Sequence, residues 1–157
     1  MSSEETDLES AILPTKRLSR PELFMHIASL YASRSTCRRA SVGAVAIRDG
    51  RVVAAGYCGA PTGQPHCLDK ECVVVDGHCT RSVHAEANLV SWAARTGTPL
   101  EDVEIYCTHF PCLNCAKLLR NAGVRYVVWE KPYESQSVGD SRAVAQLIVL
   151  KEYRYFK

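Results

Sequence analysis

The sequence predicts an α/β domain: a partly parallel sheet with helices on both of its faces. Two observations predict it. Residues 42–57 hold two β-rich runs around Asp49-Gly50, the strongest short-range sign of a hairpin. After residue 84, helical stretches alternate with short β-branched runs, and strands joined through helices pair in parallel. With 157 residues the chain is long enough to bury one core. No repeat or composition break divides it.

The opening "MSSEETDLES" is acidic and polar, without the basic start and apolar run of a secretory signal. Residues 1–18 are predicted to be a disordered tail and 19–157 a single domain. Ser19 and Glu22 match a capping box, so a first helix is expected over 20–34, with Leu23, Phe24, Ile27, Leu30 and Tyr31 on one broad apolar face. The hairpin of 42–57 follows. The stretch 58–81, rich in Gly, Pro, His and Cys, reads as a loop too long to be held by apolar packing alone. A second helix is expected over 84–96, stopped by Gly97, then a strand over 103–110. A helix over 112–123 ends at Gly123, and a strand over 124–130 follows. A last helix is expected over 140–150, with "EYRYFK" as an extended or frayed end.

Hydrophobic residues make up 46% and charged residues 23%, an ordinary globular mixture. The net charge of +2 is too mild to argue for nucleic-acid binding. No apolar run approaches the ~18–20 residues that a membrane span needs. A cytoplasmic protein is therefore expected. There the 8 cysteines point to metal binding or catalysis rather than to disulfides.

Two short motifs carry that chemistry. Cys112 and Cys115 stand three apart at a predicted helix start, where free N–H groups and the helix dipole favour thiolates. Pro111 precedes them, at a place where a missing N–H costs nothing. His84 opens the other helix. One imidazole and two thiolates suit tetrahedral Zn²⁺, and three protein ligands leave the fourth position for water, as in catalytic rather than structural sites. Glu86, two residues beyond His84, would point away from a ligand position in a regular first turn. It is suited instead to move protons beside the water. Either motif alone is weak; together they read as one site.

His-x-Glu followed by Pro-Cys-x-x-Cys is the signature of zinc nucleobase deaminases. With "STCRRASVGAVAIRDGRVVAAGY", "HCLDKEC…DGHCTRSVHAEANLV" and "THFPCLNCAKLLRNAGV", the chain resembles the deoxycytidylate (dCMP) deaminases of the cytidine-deaminase superfamily, in particular the bacterial late-competence and phage type, over about residues 20–133. The resemblance implies a three-layer α/β/α sandwich with a mixed central sheet. It also implies zinc-dependent hydrolysis of dCMP to dUMP and ammonia, which supplies dUMP for thymidylate synthesis. His84, Cys112 and Cys115 would hold one catalytic Zn²⁺, Glu86 would carry protons, and the Ala85 N–H would receive the base's carbonyl. Homo-oligomers, commonly hexamers, and dCTP or dTTP as effectors are further implications. No nucleic-acid or membrane partner is implied.

One position departs from the pattern. Cys58 stands where the family has a substrate-binding asparagine, and a thiol is a poor donor and acceptor. The change leaves open a deaminase of another cytosine compound or another base. A non-catalytic zinc scaffold is the reading from a different class, and the intact Glu86 argues against it.

Five soft ligands remain: Cys37, Cys67, Cys72, His78 and Cys79, with His66 as a further possibility. Their spacings suit a second, structural Zn²⁺ tying down 58–81, as in resembling proteins, with Cys37 and Cys67 as the firmest ligands. Arg39 is the leading candidate to meet a nucleotide phosphate, ahead of Arg81 and Lys117. Tyr133 is expected to line the pocket. Cys107 reads as an inert core thiol.

Overall fold

The computed structural model describes residues 17–133 and 137–154. The expected tail of 1–18 lies outside the described residues up to residue 16. Four helices, α1 (Arg20–Ala32), α2 (Ala85–Thr96), α3 (Leu113–Asn121) and α4 (Val138–Leu147), accompany strands β1 (Gly43–Arg48), β2 (Arg51–Tyr57), β5 (Glu104–His109), β6 (Tyr126–Lys131) and β7 (Val149–Glu152). Those five strands form one sheet in the order β2-β1-β5-β6-β7. The β1–β2 and β1–β5 pairs are antiparallel, while β5–β6 and β6–β7 are parallel across α3 and α4. A mixed sheet is therefore present, as expected.

Period-two alternation divides the core between the two faces. Val45, Ile47, Tyr106 and Val128 pack against Phe24, Met25 and Ala28 of α1. Their strand neighbours Ala44, Ala46, Ile105, Cys107 and Val127 face the other way, onto Ala85 and Leu89 of α2, Ala116 and Leu119 of α3 and Val144 of α4. One helix on one face and three on the other make the three-layer sandwich.

The capping box of α1 forms as predicted, with Ser19 N–H donating to Glu22 Oε2 at 2.7 Å and Glu22 N–H to Ser19 Oγ at 3.4 Å. Its buried face differs from the expected one. Phe24, Met25, Ala28 and Ala32 are inside, whereas Leu23, Tyr31 and above all Leu30 (68% exposed) face out. Gly43 is the reason. A Cβ there would stand 2.0 Å from Ala28 O and 2.5 Å from Ala32 N, so the helix backbone lies against the strand and only its alanines fit between.

Two further expectations are corrected. The segment 58–81 is not all loop: Val74–Val75 (β3) and His78–Cys79 (β4) pair antiparallel about Asp76-Gly77, both residues with positive φ. The last helix starts earlier and ends at Leu147, because Ser137 Oγ caps Asp140 N–H at 3.0 Å and Ile148 turns extended. Residues from Val149 then add β7 to the sheet edge, where a strand was not expected.

Candidate active site

His84 is not inside α2 but caps it, with extended backbone (φ −66°, ψ 152°). Cys112 likewise caps α3, its Sγ accepting the Cys115 N–H at 3.4 Å. The two helix starts face each other on the α2–α4 side of the sheet. Gly56 of β2 sets the height of α2, since a Cβ there would lie 2.4 Å from Ala85 O and 2.6 Å from Leu89 N. Asn88 fixes the rotation of the helix by donating from Nδ2 to Tyr57 O at 2.8 Å.

These constraints bring the predicted ligands together. His84 Nδ1 lies 3.5 Å from Cys112 Sγ and 3.6 Å from Cys115 Sγ. Tetrahedral zinc, with sulfur at ~2.3 Å and nitrogen at ~2.0 Å, sets such atoms about 3.5 Å apart. The donor set and its spacing therefore fit zinc. Glu86 is 4% exposed, enclosed beside the same thiols.

The electrostatics follow from this crowding. A hydrogen bond to the Cys112 sulfur holds the His84 imidazole proton up to about 9. The Cys115 thiol, then His84, donate to Cys112 and draw it down to about 4, while Cys115 keeps its proton and shifts upward. Burial raises Glu86, only partly offset by its own backbone N–H and by His84. Zinc requires a neutral imidazole and thiolates, so binding displaces protons from His84 and Cys115.

A cavity opens over this centre. Ala85 and Glu86 line it with Cys58, Arg39 and Tyr133, the other predicted substrate contacts. Arg39 is exposed and its guanidinium donates to Gly77 O. The other basic candidates do not reach the cavity: Arg81 turns toward Glu71 O at 3.5 Å, and Lys117 faces outward on α3. Cys37, Ser82 and His109 are among the lining residues that were not predicted there, as are His78 and Cys79. His109 Nδ1 meets Thr108 Oγ1 at 2.9 Å, and that oxygen accepts the Gly43 N–H at 3.2 Å.

The second cluster is smaller than expected. Among the described residues, Cys67, Cys72 and Cys79 group together, with 3.6 Å between Cys67 Sγ and Cys79 Sγ. Two thiolates on one tetrahedral zinc stand about 3.8 Å apart. Cys37 and His78 are outside the group. Thr36 N–H donates to Cys58 O at 3.1 Å, which turns Cys37 toward Cys58 and the cavity instead. His78 is exposed on β4. All eight cysteines are free of disulfides, and no helix among the described residues is long and apolar enough to cross a membrane.

Comparison with known proteins gives the same site a family. The sequence pattern described as "Cytidine and deoxycytidylate deaminase zinc-binding region" matches residues 18–131. ComE operon protein 2 of Bacillus subtilis is 42% identical over 120 residues, 76% of this chain and 64% of that protein. The deoxycytidylate deaminase of Mycobacterium phage D29 is 38% identical over 128 residues, 73% of this chain and 98% of that protein. The chain spans 64% of the Bacillus protein's length and 42% of that of the Saccharomyces cerevisiae deoxycytidylate deaminase. The crystal structure of the cyanophage S-TIM5 dCMP deaminase, in complex with dCMP and dUMP, superposes with a TM-score of 0.71 at 27% identity, covering 98% of this chain and 99% of that one. With its helix-capping ligands, buried glutamate and layered sheet, the chain belongs to the cytidine and deoxycytidylate deaminase zinc-binding family.

Proposed function

We propose that the protein converts dCMP and water to dUMP and ammonia, supplying dUMP for thymidylate synthesis. The observation that carries this reading is the convergence of His84 Nδ1 with the sulfurs of Cys112 and Cys115 beside the buried Glu86. Zinc bound by these three residues would supply a coordinated water acidified toward a pKa of about 7.

The chain's own groups do the rest. Glu86, its basicity raised by burial, accepts a proton from the attacking water. It delivers that proton to the ring nitrogen N3, then takes the second proton from the new C4 hydroxyl and passes it to the departing amine as the C4–N bond breaks, so that one carboxylate serves as base and acid in turn. The fully buried Ala85 at the first turn of α2 offers its N–H to the base's carbonyl. Arg39 at the cavity rim meets the 5′-phosphate, and Tyr133 packs on the nucleotide. The relatives named for this reaction support dCMP as the substrate. Cys67, Cys72 and Cys79 supply three of the four ligands of a second, structural zinc that ties the β3–β4 hairpin to the preceding loop. A homo-oligomer responsive to dCTP or dTTP belongs to the same proposal.

The test is ammonia release from dCMP, dCTP, cytidine and deoxycytidine by the zinc-loaded protein and by Glu86→Gln. The reading predicts turnover of dCMP well above the others. It also predicts a loss of about 10²–10⁴-fold in kcat for Glu86→Gln, the usual worth of a positioned proton carrier. Equal turnover of deoxycytidine would overturn the mononucleotide assignment, and full activity of the variant would overturn the role of Glu86.

A further inference from the structure

Cys58 and Ser82 stand together in the cavity wall, Sγ to Oγ at 3.1 Å. The backbone explains why. Gly59 and Val83 form a two-residue antiparallel bridge, Gly59 N–H to Val83 O at 3.1 Å and Val83 N–H to Gly59 O at 2.8 Å. Alternation then puts Cys58, Ser82 and His84 on the opposite face of that bridge, toward the metal ligands. Ser82 is held from behind as well, because its backbone N–H and that of Arg81 donate to the sulfur of Cys79.

Of the Cys58–Ser82 pair, the serine is the stronger hydrogen-bonding side chain. The buried Cys58 thiol is a weak donor and a weaker acceptor. When it donates to Ser82 Oγ, the serine's own proton is left to point into the cavity. Glu86, Cys37 and Arg39 line the same cavity as Cys58 and Ser82. With the reacting ring at Glu86 and the phosphate at Arg39, the sugar that joins them lies in this same cavity, whose wall includes Ser82. From this placement we infer that Ser82 is a substrate-contacting, specificity-determining residue that binds a sugar hydroxyl of the nucleotide, with Cys58 as the positioning residue that aims it. The inference rests on the dCMP reading above.

The experiment compares dCMP with 2′,3′-dideoxycytidine 5′-monophosphate, which lacks the sugar hydroxyl, in the zinc-loaded wild type and in Ser82→Ala, Ser82→Cys and Ser82→Thr. Zinc per chain is measured alongside. The wild type should show a KM for dCMP roughly tenfold below that for the dideoxy compound, the scale of one neutral hydrogen bond. Ser82→Ala and Ser82→Cys should erase that preference by raising the KM for dCMP alone, with kcat and zinc content close to wild type. Ser82→Thr, which keeps the hydroxyl, should retain it. Should one variant fail to fold, the other and the threonine form still decide. A preference that survives both hydroxyl deletions, or a wild type that shows none, overturns the inference. Turnover of deoxycytidine as good as that of dCMP sinks the mononucleotide reading instead, and the preference is then read between deoxycytidine and 2′,3′-dideoxycytidine. If no compound is turned over, the deaminase reading falls, and the same preference is read as a ratio of Kd values by calorimetry.

Discussion

His84 stays an imidazolium well past neutrality in the metal-free protein, because the Cys112 thiolate 3.5 Å away holds its proton to about 9 instead of the ordinary 6.5. A folded-state value raised in this way adds stability that is full below 6.5 and lost as the pH climbs through about 9. Titration of the His84 ring by NMR in metal-free protein should therefore show its midpoint near 9, and Cys112→Ser should bring it back toward 6.5. A wild-type midpoint at 6.5 would mean that the ring and the sulfur are not paired. At this scale much was legible in the sequence. His84, Glu86, Cys112 and Cys115 declared themselves through ligand chemistry and spacing. Ser82 did not, though it stands two residues before a ligand in extended backbone and so shares that ligand's face. The misplaced Cys37 has a different cause: cysteines advertise metal affinity, but which of them meet depends on contacts such as Thr36 N–H to Cys58 O, which leave no local sequence trace.

Elements place these residues through close backbone approaches. Gly56 is the seat of α2, which His84 caps and whose first turn carries Glu86. Gly56→Ala must push α2 off β2, which should cost about 1–3 kcal/mol of stability and lower deaminase activity, because the ligand and the proton carrier move together. A chemical-denaturation curve beside an activity assay checks this; unchanged values in both would show that α2 does not depend on the glycine. The capping box, the Asp49-Gly50 hairpin and the glycine-stopped α2 were readable because each rests on short-range chemistry. The Asp76-Gly77 turn carried the same signal, hidden between strands of only two residues. The wrong face of α1 has a physical reason. Apolar size suggested Leu23, Leu30 and Tyr31, but the tight approach at Gly43 selects Ala28 and Ala32. The edge strand β7 was missed because Val149–Glu152 has no clear alternation and is paired on one side only.

Across the whole molecule, a backbone hydrogen bond ties the second thiol cluster to the cavity wall. Cys79 belongs to the second cluster, while its sulfur accepts the N–H of Ser82 in the cavity wall. Cys72→Ser, which touches neither the cavity nor the catalytic ligands, should lower zinc from two ions to one per chain and reduce the melting midpoint. A loss of about 2 kcal/mol corresponds to roughly 4–8 °C in a domain of this size. Unaltered zinc content and melting would remove the structural role from Cys67, Cys72 and Cys79. The layered fold was legible from strand–helix alternation, whereas the tie between the second cluster and the cavity wall at Ser82 was not, since it runs through a backbone hydrogen bond.

The central claim is that His84, Cys112 and Cys115 hold the zinc on which deamination depends. Its most direct test is elemental zinc per chain, measured with ammonia release from dCMP, in the wild type and in a Cys112→Ser, Cys115→Ser double variant whose folding is verified by circular dichroism. The account predicts the loss of one zinc per chain together with all turnover, while the zinc at Cys67, Cys72 and Cys79 stays. A folded double variant with undiminished zinc, or one that still releases ammonia at the wild-type rate, would contradict it.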